Sequence, residues 1–584
     1  SANKKTIVID RQQINETFLG GLKNDFNTLI NYSFVAVVLI LFFFFRRVEL
    51  VLISCIPIAV TGIITAGVMG MFDIKLNIFS TIVCTLVFGH GVDFSIFMTS
   101  ALQKEYTTGH NEMATYRTSI LLAVLTTVLG IGALVFAQHP ALKSISSVSL
   151  IGVFAALIIT FVFYPILFRF FLTHRVKKGK SPLKLRKTIH SVLSFIYYGL
   201  GGFLLSVFSL VFVNILPANK AWKMRTFRYA MSKFMKSVLY TNPFIKKRVL
   251  NPHNETFDKP AVIIANHTSF LDILAVGMLS PKIIYLVSDW VYNSPVFGIG
   301  VKLAGFYPVS QGLEGGVEHL RAKVEEGYSL VVFPEGTRSK DNHIQRFHKG
   351  AFYLAEEFNL DIVPILIHGN SELLPKGDFI INNGNLTLKI LPRIKAEDRS
   401  FGDNYAERTK KIGTFYKEQF AQMRAEEEAP DYFKEMLLNS FVYKEPEIVQ
   451  SVKENLKNVL PLYYKMDKHI GAKAKILLLD HGETSALLTL QQPQRKVYTY
   501  IDNKERRDVA QTNYINRKRS ISYLLDVEEA EDMVFDVIIA QSPVKHLPAQ
   551  KTKYIIFTNR FDITDYPEFV EEVKEDGFTI LRKI

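Results

Sequence analysis

His267 and Asp272 lie five positions apart in Asn266-His267-Thr268-Ser269-Phe270-Leu271-Asp272 and form the pair in this chain best suited to move a proton. A carboxylate that accepts from one imidazole nitrogen fixes the tautomer, which leaves the other nitrogen free to take a proton from a hydroxyl nucleophile. On a continuous helix, positions five apart are rotated by about 140°, so the pair works only if the chain breaks between them. With Thr268 or Ser269 as N-cap, His267 stays in the loop and Asp272 enters the first helical turn, within reach of the imidazole. The apolar run Ala261-Val262-Ile263-Ile264-Ala265 before the pair has the pattern of a buried strand, which places the pair at a strand end. Alone, such a pair also fits a histidine merely satisfied near a helix start.

A second stretch favours the chemical reading. Leu330-Val331-Val332-Phe333 runs directly into Pro334-Glu335-Gly336-Thr337-Arg338-Ser339. A glycine turn at a strand end exposes backbone amides, and an arginine beside it offers a two-pronged fork, so the stretch suits a phosphate. Lys349, in Arg346-Phe347-His348-Lys349-Gly350-Ala351, adds a charge that serves either as a phosphate neutraliser or as a solvated cation. Apolar runs at 261–265, 283–288, 329–333, 361–367 and 385–391 alternate with amphipathic segments, the rhythm of an α/β domain.

These elements sit in a chain of 584 residues with a formal charge of +14 and a mean hydropathy of +0.14. That length fits three or four domains, and the hydropathy requires part of the chain to lie in a membrane. No base-reading motif occurs, so the basic excess points to anionic lipid and not to nucleic acid. The two cysteines, Cys55 and Cys84, both fall in apolar segments and provide neither a disulfide framework nor a thiolate metal site, and no metal site is expected.

Apolar stretches at 28–45, 48–71, 76–102, 117–138 and 142–172 are each long enough to span a bilayer. Arg46, Arg47, Lys104, Arg117 and the basic run 173–187 mark the cytoplasmic side, so residues 1–26 are expected to end an extracytoplasmic region of a longer protein. Within the third span, His90 and Asp93 share a helix face. A buried acid there is a proton-relay candidate, with a purely structural pair as the other reading. Residues 173–189 and 217–248 carry seven and nine Lys or Arg with no acid, and they flank an apolar stretch interrupted by Gly199, Gly201 and Gly202. A re-entrant or interfacial hairpin bent at those glycines keeps both basic flanks cytoplasmic.

Strand-like runs resume at Lys475-Ile476-Leu477-Leu478-Leu479-Asp480, Val497-Tyr498-Thr499-Tyr500-Ile501-Asp502, Phe535-Asp536-Val537-Ile538-Ile539-Ala540 and Tyr554-Ile555-Ile556-Phe557. Their alternation with helical segments indicates an open doubly wound sheet.

Three resemblances attach to these stretches. Residues 190–420 resemble the glycerolipid acyltransferase superfamily, whose lysophospholipid members carry Asn-His-x-Ser-x-x-Asp, then Phe-Pro-Glu-Gly-Thr-Arg-Ser, then Val-Pro, here Val363-Pro364. The resemblance implies His267 as base, Asp272 as its orienting acid, and Asn266, Ser269, Glu335, Gly336, Thr337, Arg338 and Lys349 as substrate-binding residues. The donor would be acyl-CoA or acyl-carrier protein and the acceptor hydroxyl that of a lysophospholipid, with no cofactor. In Gly305-Phe306-Tyr307-Pro308-Val309-Ser310-Gln311, Gln311 stands where the family has arginine, which implies one fewer phosphate contact.

Residues 1–172 resemble the C-terminal half of MMPL-type transporters of the resistance-nodulation-division superfamily, through Gly89-His90-Gly91-Val92-Asp93, Thr126-Thr127-Val128-Leu129-Gly130 and Pro165, with Phe94 in place of the family's tyrosine. That resemblance implies a missing N-terminal transporter half as partner.

Residues 445–584 resemble class I methyltransferases, which implies S-adenosylmethionine held by Asp480, Gly482 and Asp502. The first turn has one glycine, Gly482, between His481 and Glu483, so methyl transfer and a docking role both remain open.

The expected architecture is therefore multidomain: an all-α transmembrane helix bundle, an α/β glycerolipid acyltransferase domain and a Rossmann-like α/β C-terminal domain. Its parts are 1–26 (extracytoplasmic end), 27–172 (five membrane helices), 173–248 (basic hairpin), 249–425 (acyltransferase) and 440–584 (methyltransferase-like). The expected function is a multi-pass enzyme of the cytoplasmic (inner) membrane that acylates lipid, in one polypeptide with a lipid exporter. The alternative is a lipid transporter whose two cytoplasmic domains bind or hand over lipid.

Overall fold

The computed structural model describes residues 11–74, 78–311, 313–541, 551–559 and 566–584. Five helices occupy the five expected spans: α1 (Arg11–Phe45), α2 (Val48–Met71), α3 (Ile78–Thr108), α4 (Met113–Gly132) and α5 (Pro140–Ile158), the last continuing through π-helical turns to Lys177. Helices α2, α3 and α5 form the centre of the block. Gly152 of α5 lets that helix close on Val87 of α3, where a side chain would collide. Ser54, Thr99 and Tyr164, all fully buried, share hydrogen bonds across α2, α3 and the continuation of α5. In hydrocarbon such hydroxyls are satisfied only by one another, so the cluster fixes helix rotation.

The basic connection departs from expectation. Leu185–Ile215 is one continuous helix, α6, with no bend at Gly199, Gly201 or Gly202. Two of the three serve packing: a Cβ at Gly201 would lie 2.6 Å from Phe234 and one at Gly202 would lie 2.5 Å from Phe297, whereas Gly199 faces open space. The hairpin turns instead at 216–219 into α7 (Lys220–Tyr240), where Asn219 caps the backbone amides of Ala221 and Trp222. Contacts of Phe212 with Trp222 and of Tyr197 with Ser237 show that α6 and α7 run antiparallel. Among the described residues, four helical segments are long and apolar enough to cross a membrane: 48–71, 113–136, 140–177 and 185–215.

The next region is a seven-stranded sheet of β1 (Ile245–Leu250), β2 (Ala261–Ala265), β3 (Ile283–Val287), β4 (Tyr307–Pro308), β5 (Ser329–Val332), β6 (Asp361–His368) and β7 (Gly384–Ile390), in the order β1-β7-β6-β2-β5-β3-β4. Every neighbouring pair is parallel except β6 with β7. Strand β2 is buried along its whole length between β5 and β6, with helices on both faces, which is why it reads as an unbroken apolar run.

A second seven-stranded sheet comprises β8 (Lys475–Leu479), β9 (Lys496–Tyr500), β10 (Ile521–Leu524), β11 (Val537–Ala540), β12 (Tyr554–Phe557), β13 (Phe569–Glu575) and β14 (Phe578–Lys583), ordered β10-β9-β8-β11-β12-β14-β13. Its first five strands are parallel, and β14 adds antiparallel to β12, so the sheet is doubly wound as expected.

The segment joining the two α/β bodies is anchored in the membrane block. Val442 and Tyr443 pack into that block's apolar core, with Tyr443 held at a φ of 69°. The Lys444 ammonium donates to the carbonyls of Thr107, at the end of α3, and Val509, at 3.1 and 2.9 Å. Burial among neutral oxygens pushes the Lys444 pKa down to about 7.

Candidate active site

The motif at the end of β2 turns sharply, so the helix that follows begins only at Leu271 and its capping position is Phe270. Thr268 does not cap it with its side chain, whereas the Ser269 hydroxyl accepts from the amide of Leu271, the first helical residue, at 3.3 Å. The Asp272 carboxylate, fully buried, reaches back and gathers the turn around itself. Its Oδ2 accepts from the Thr268 and Ser269 amides, both at 2.7 Å, and from His267 Nδ1 at 3.0 Å. Its Oδ1 accepts from Asn370 Nδ2 at 2.7 Å. With Nδ1 donating to the carboxylate, Nε2 is left with its lone pair, the arrangement a general base requires. The imidazole stacks on Phe333 with ring centroids 4.2 Å apart, which holds its plane.

The second motif is joined to the first by its backbone. His267 N–H donates to Glu335 Oε1 at 2.8 Å, and Ser339 N–H donates to the His267 carbonyl at 2.7 Å. Gly336, at a φ of 71°, turns the chain between them in a conformation that favours glycine, with His348 3.1 Å from where a Cβ would sit. The strand-end turns after β2 and β5 are thus zipped together, and His267 lies beside the expected phosphate grip.

The structure separates the expected substrate-binding residues into two groups. Asn266, Ser269 and Glu335 do not face a ligand. Asn266 exchanges two hydrogen bonds with Ile367 on β6 and meets the Tyr416 hydroxyl; Ser269 donates to the Leu374 carbonyl; Glu335 accepts from the amides of His267 and Gln345. All three are at most 3% exposed, so their polar atoms must be satisfied within the protein. They hold the base in place. Gly336, Thr337 and Lys349 are exposed, and no carboxylate lies within 4 Å of the half-exposed Arg338 guanidinium among the described residues. The side chain of Gln311 lies outside the described residues.

Residues 246–368 match the acyltransferase family. Residues 14–188 match the MMPL family. The acyltransferase-family region is similar to a chloroplastic 1-acyl-sn-glycerol-3-phosphate acyltransferase of Arabidopsis thaliana, 32% identical over 173 residues, which are 28% of this chain and 48% of the relative. It is 31% identical over 151 residues to a 1-acyl-sn-glycerol-3-phosphate acyltransferase of Saccharomyces cerevisiae, covering 24% of this chain and 49% of that one. The chain thus spans about half the length of the curated relatives it matches. A solved 1-acyl-sn-glycerophosphate acyltransferase from Thermotoga maritima, 21% identical, covers 40% of this chain and 97% of its own at a TM-score of 0.36.

Glu335 makes the acyltransferase-family region sensitive to pH. Burial raises its pKa from 4.5 to about 7, although two amides favour the charged form. An acid whose folded pKa is raised contributes stability that is complete below the unfolded value and lost as pH rises through the folded one. For Glu335 the loss runs from about pH 4.5 to just above 7 and amounts to roughly 3 kcal/mol at 1.4 kcal/mol per unit. Glu335→Gln removes this dependence. Relative to wild type, the thermal midpoint of the variant in detergent should rise between pH 5 and pH 8; a difference that stays constant over that range refutes the burial effect.

The two remaining expected sites are less complete. In the membrane block no hydrogen bond or ion pair links His90 to Asp93 among the described residues; Val92 and Phe94 take the buried side of α3, and Asp93 points out of it. The two side chains interact through charge without a hydrogen bond. In the C-terminal domain a cavity of about 290 Å³ is lined by Asp480, His481, Asp502 and Arg506, at the carboxyl ends of β8 and β9. Of the three residues expected to hold a cofactor, Asp480 and Asp502 line this cavity and Gly482 does not. Asp480 is occupied by donors from Tyr463 and Gln541, and Gly482 gives room to Ala510 of a neighbouring helix, not to a ligand. Arg506 reaches to 3.5 Å from His481 across the floor, and the Tyr500 hydroxyl donates to Asp502.

Proposed function

We propose that the chain acylates a lysophospholipid-like acceptor at the cytoplasmic face of the inner membrane, using acyl-CoA or acyl-carrier protein as donor. The observation that carries this reading is the His267–Asp272 pair, 3.0 Å apart with Nε2 unengaged, zipped to the Glu335–Ser339 turn. His267 Nε2 removes the acceptor's hydroxyl proton as its oxygen forms a bond to the thioester carbonyl. The carbon–sulfur bond then breaks, and the imidazolium returns its proton to the departing thiolate. Asp272 stabilises the transient imidazolium. Arg338 and the exposed backbone of Gly336 and Thr337 hold the acceptor's phosphate, so that donor and acceptor meet in one orientation.

The α6–α7 hairpin, with exposed apolar side chains on α6 and cations on α7, supports a position against the bilayer, and the basic loops support the cytoplasmic side. The match of residues 14–188 to the MMPL family supports reading the membrane block as a lipid-exporter module in the same polypeptide, completed by a partner half. The C-terminal domain is assigned a docking role. Full-length protein in detergent, given labelled acyl-CoA or acyl-carrier protein with lysophosphatidic acid and a panel of other lysolipids, should form labelled diacyl product with at least one pair. Failure with every pair overturns the reading.

A further inference from the structure

A cavity of about 470 Å³ lies where three bodies meet: the basic segment after α5, the acyltransferase-family region and the C-terminal domain. His267, Asp272 and Arg338 do not line it, so it is distinct from the active site. Its volume suits a small ligand.

Its walls are charged in an uneven way. Lys180, Lys246, Lys340, Lys518 and Arg519 converge on it from all three bodies. The Arg519 side chain donates one hydrogen bond, to the Thr489 carbonyl at 3.1 Å, and no carboxylate lies within 4 Å of it among the described residues. The acids in the wall are largely engaged elsewhere. Asp378 accepts two bonds from Arg175 and Glu435 pairs with Lys187, while Asp341 accepts from the Ser339 hydroxyl and the His343 amide; Glu372 and Asp431 complete the set. With Lys187 set against Glu435 and Asp378 against Arg175, the five remaining cations face three acids, Asp341, Glu372 and Asp431, and that excess calls for an anion; a guanidinium beside several ammonium groups suits phosphate.

Three buried atoms define the ligand further. The hydroxyls of Ser181 and Ser371 and Oε2 of Glu372, all from residues of this wall, have no hydrogen-bond partner among the described residues. Buried polar atoms are rarely left unpaired, so an occupant should supply their partners. The two hydroxyls can donate to phosphate oxygens. As a carboxylate Glu372 has only acceptors, and with Oε1 already taking a bond from Asn342 its free Oε2 calls for a donor on the occupant.

We propose that this cavity binds a phosphate ester bearing a hydroxyl or ammonium donor close to the phosphate. A phospholipid head and a soluble phosphorylated polyol share that chemistry. The wall joins the membrane-proximal segment at Gly179, Lys180 and Ser181 to both cytoplasmic domains, so an occupant ties the three together.

The test uses the full chain in detergent with Arg338→Ala, so that the active-site grip does not contribute. Isothermal titration compares sn-glycerol 3-phosphate with short-chain phosphatidylglycerol, and both with short-chain phosphatidylcholine, whose head has phosphate but no donor. One-to-one binding of a donor-bearing ligand is expected, weakened about tenfold or more by Arg519→Gln, by Lys340→Ala and by the choline head. Lys340 is exposed, so its variant keeps the test valid if Arg519→Gln does not fold. Binding of the glycerol lipid alone assigns the site to a membrane head, and binding of glycerol 3-phosphate assigns it to a soluble ester. No saturable binding of either, or an affinity unchanged by both variants, overturns the proposal.

Discussion

His267→Ala should lower the rate of acyl transfer by about 10²–10⁴-fold, the range a positioned general base supplies, while the protein stays folded. The separation of the two effects follows from what the residue does with its backbone. Its N–H holds Glu335 and its carbonyl accepts from Ser339, so alanine keeps the link between the two strand-end turns. Only the ring is lost, with its stacking on Phe333 and its bond to Asp272, whose Oδ2 still receives two amides. The cost in stability should stay near 1–2 kcal/mol, as for an ordinary partly buried substitution. His348 is the informative control: it is exposed and its ring lies 3.1 Å from the position of a Cβ on Gly336. His348→Ala should leave the rate within a few-fold of wild type. If a time course with labelled donor shows His267→Ala equally active, or His348→Ala inactive in its place, the base has been assigned to the wrong ring.

The two motifs were legible because strand ends in a buried parallel sheet advertise themselves: β2, β5 and β6 are apolar runs that stop at polar clusters. Strand β1 was not legible. It is an edge strand with Lys246, Lys247 and Arg248 in its middle, a composition that protects an open edge and erases the apolar pattern. Asn370 was invisible for a different reason. It bonds the Asp272 carboxylate from 98 positions away, at the turn after β6, and only the pairing of β2 with β6 brings it there. Asn266, Ser269 and Glu335 were legible as motif members but not in role. A polar residue at a strand end looks the same in sequence whether it points to a ligand or ties two turns together, and burial decides between the two. The glycines of α6 pose the same ambiguity, bend or close packing, and for Gly201 and Gly202 the rings of Phe234 and Phe297 settle it in favour of packing.

Asp272→Asn should separate the charge of the acid from its role in orientation. Asp272 Oδ2 accepts three N–H groups, so the variant must keep its amide oxygen there, which turns its NH₂ toward the NH₂ of Asn370. Asn370 has a way out: its own Oδ1 is buried with no hydrogen-bond partner, so rotating the amide by half a turn presents that oxygen to the new NH₂. The variant therefore folds with the His267 tautomer intact and loses only the negative charge beside the imidazolium. Acyl transfer should fall by about 10²–10³-fold, less than the roughly 10⁴-fold loss seen where the same change also inverts the tautomer. Asn370→Ala in the Asp272→Asn background removes the rescuing oxygen and strands a buried NH₂. That should cost a further 1–3 kcal/mol of stability, whereas Asn370→Ala alone leaves Asp272 with three donors and should cost less. A double-mutant cycle on the thermal midpoint reads the coupling. If the two substitutions simply add, the amide does not rotate. Asp272 would then act on His267 through geometry as well as charge, and the single variant should lose activity to the same extent as His267→Ala.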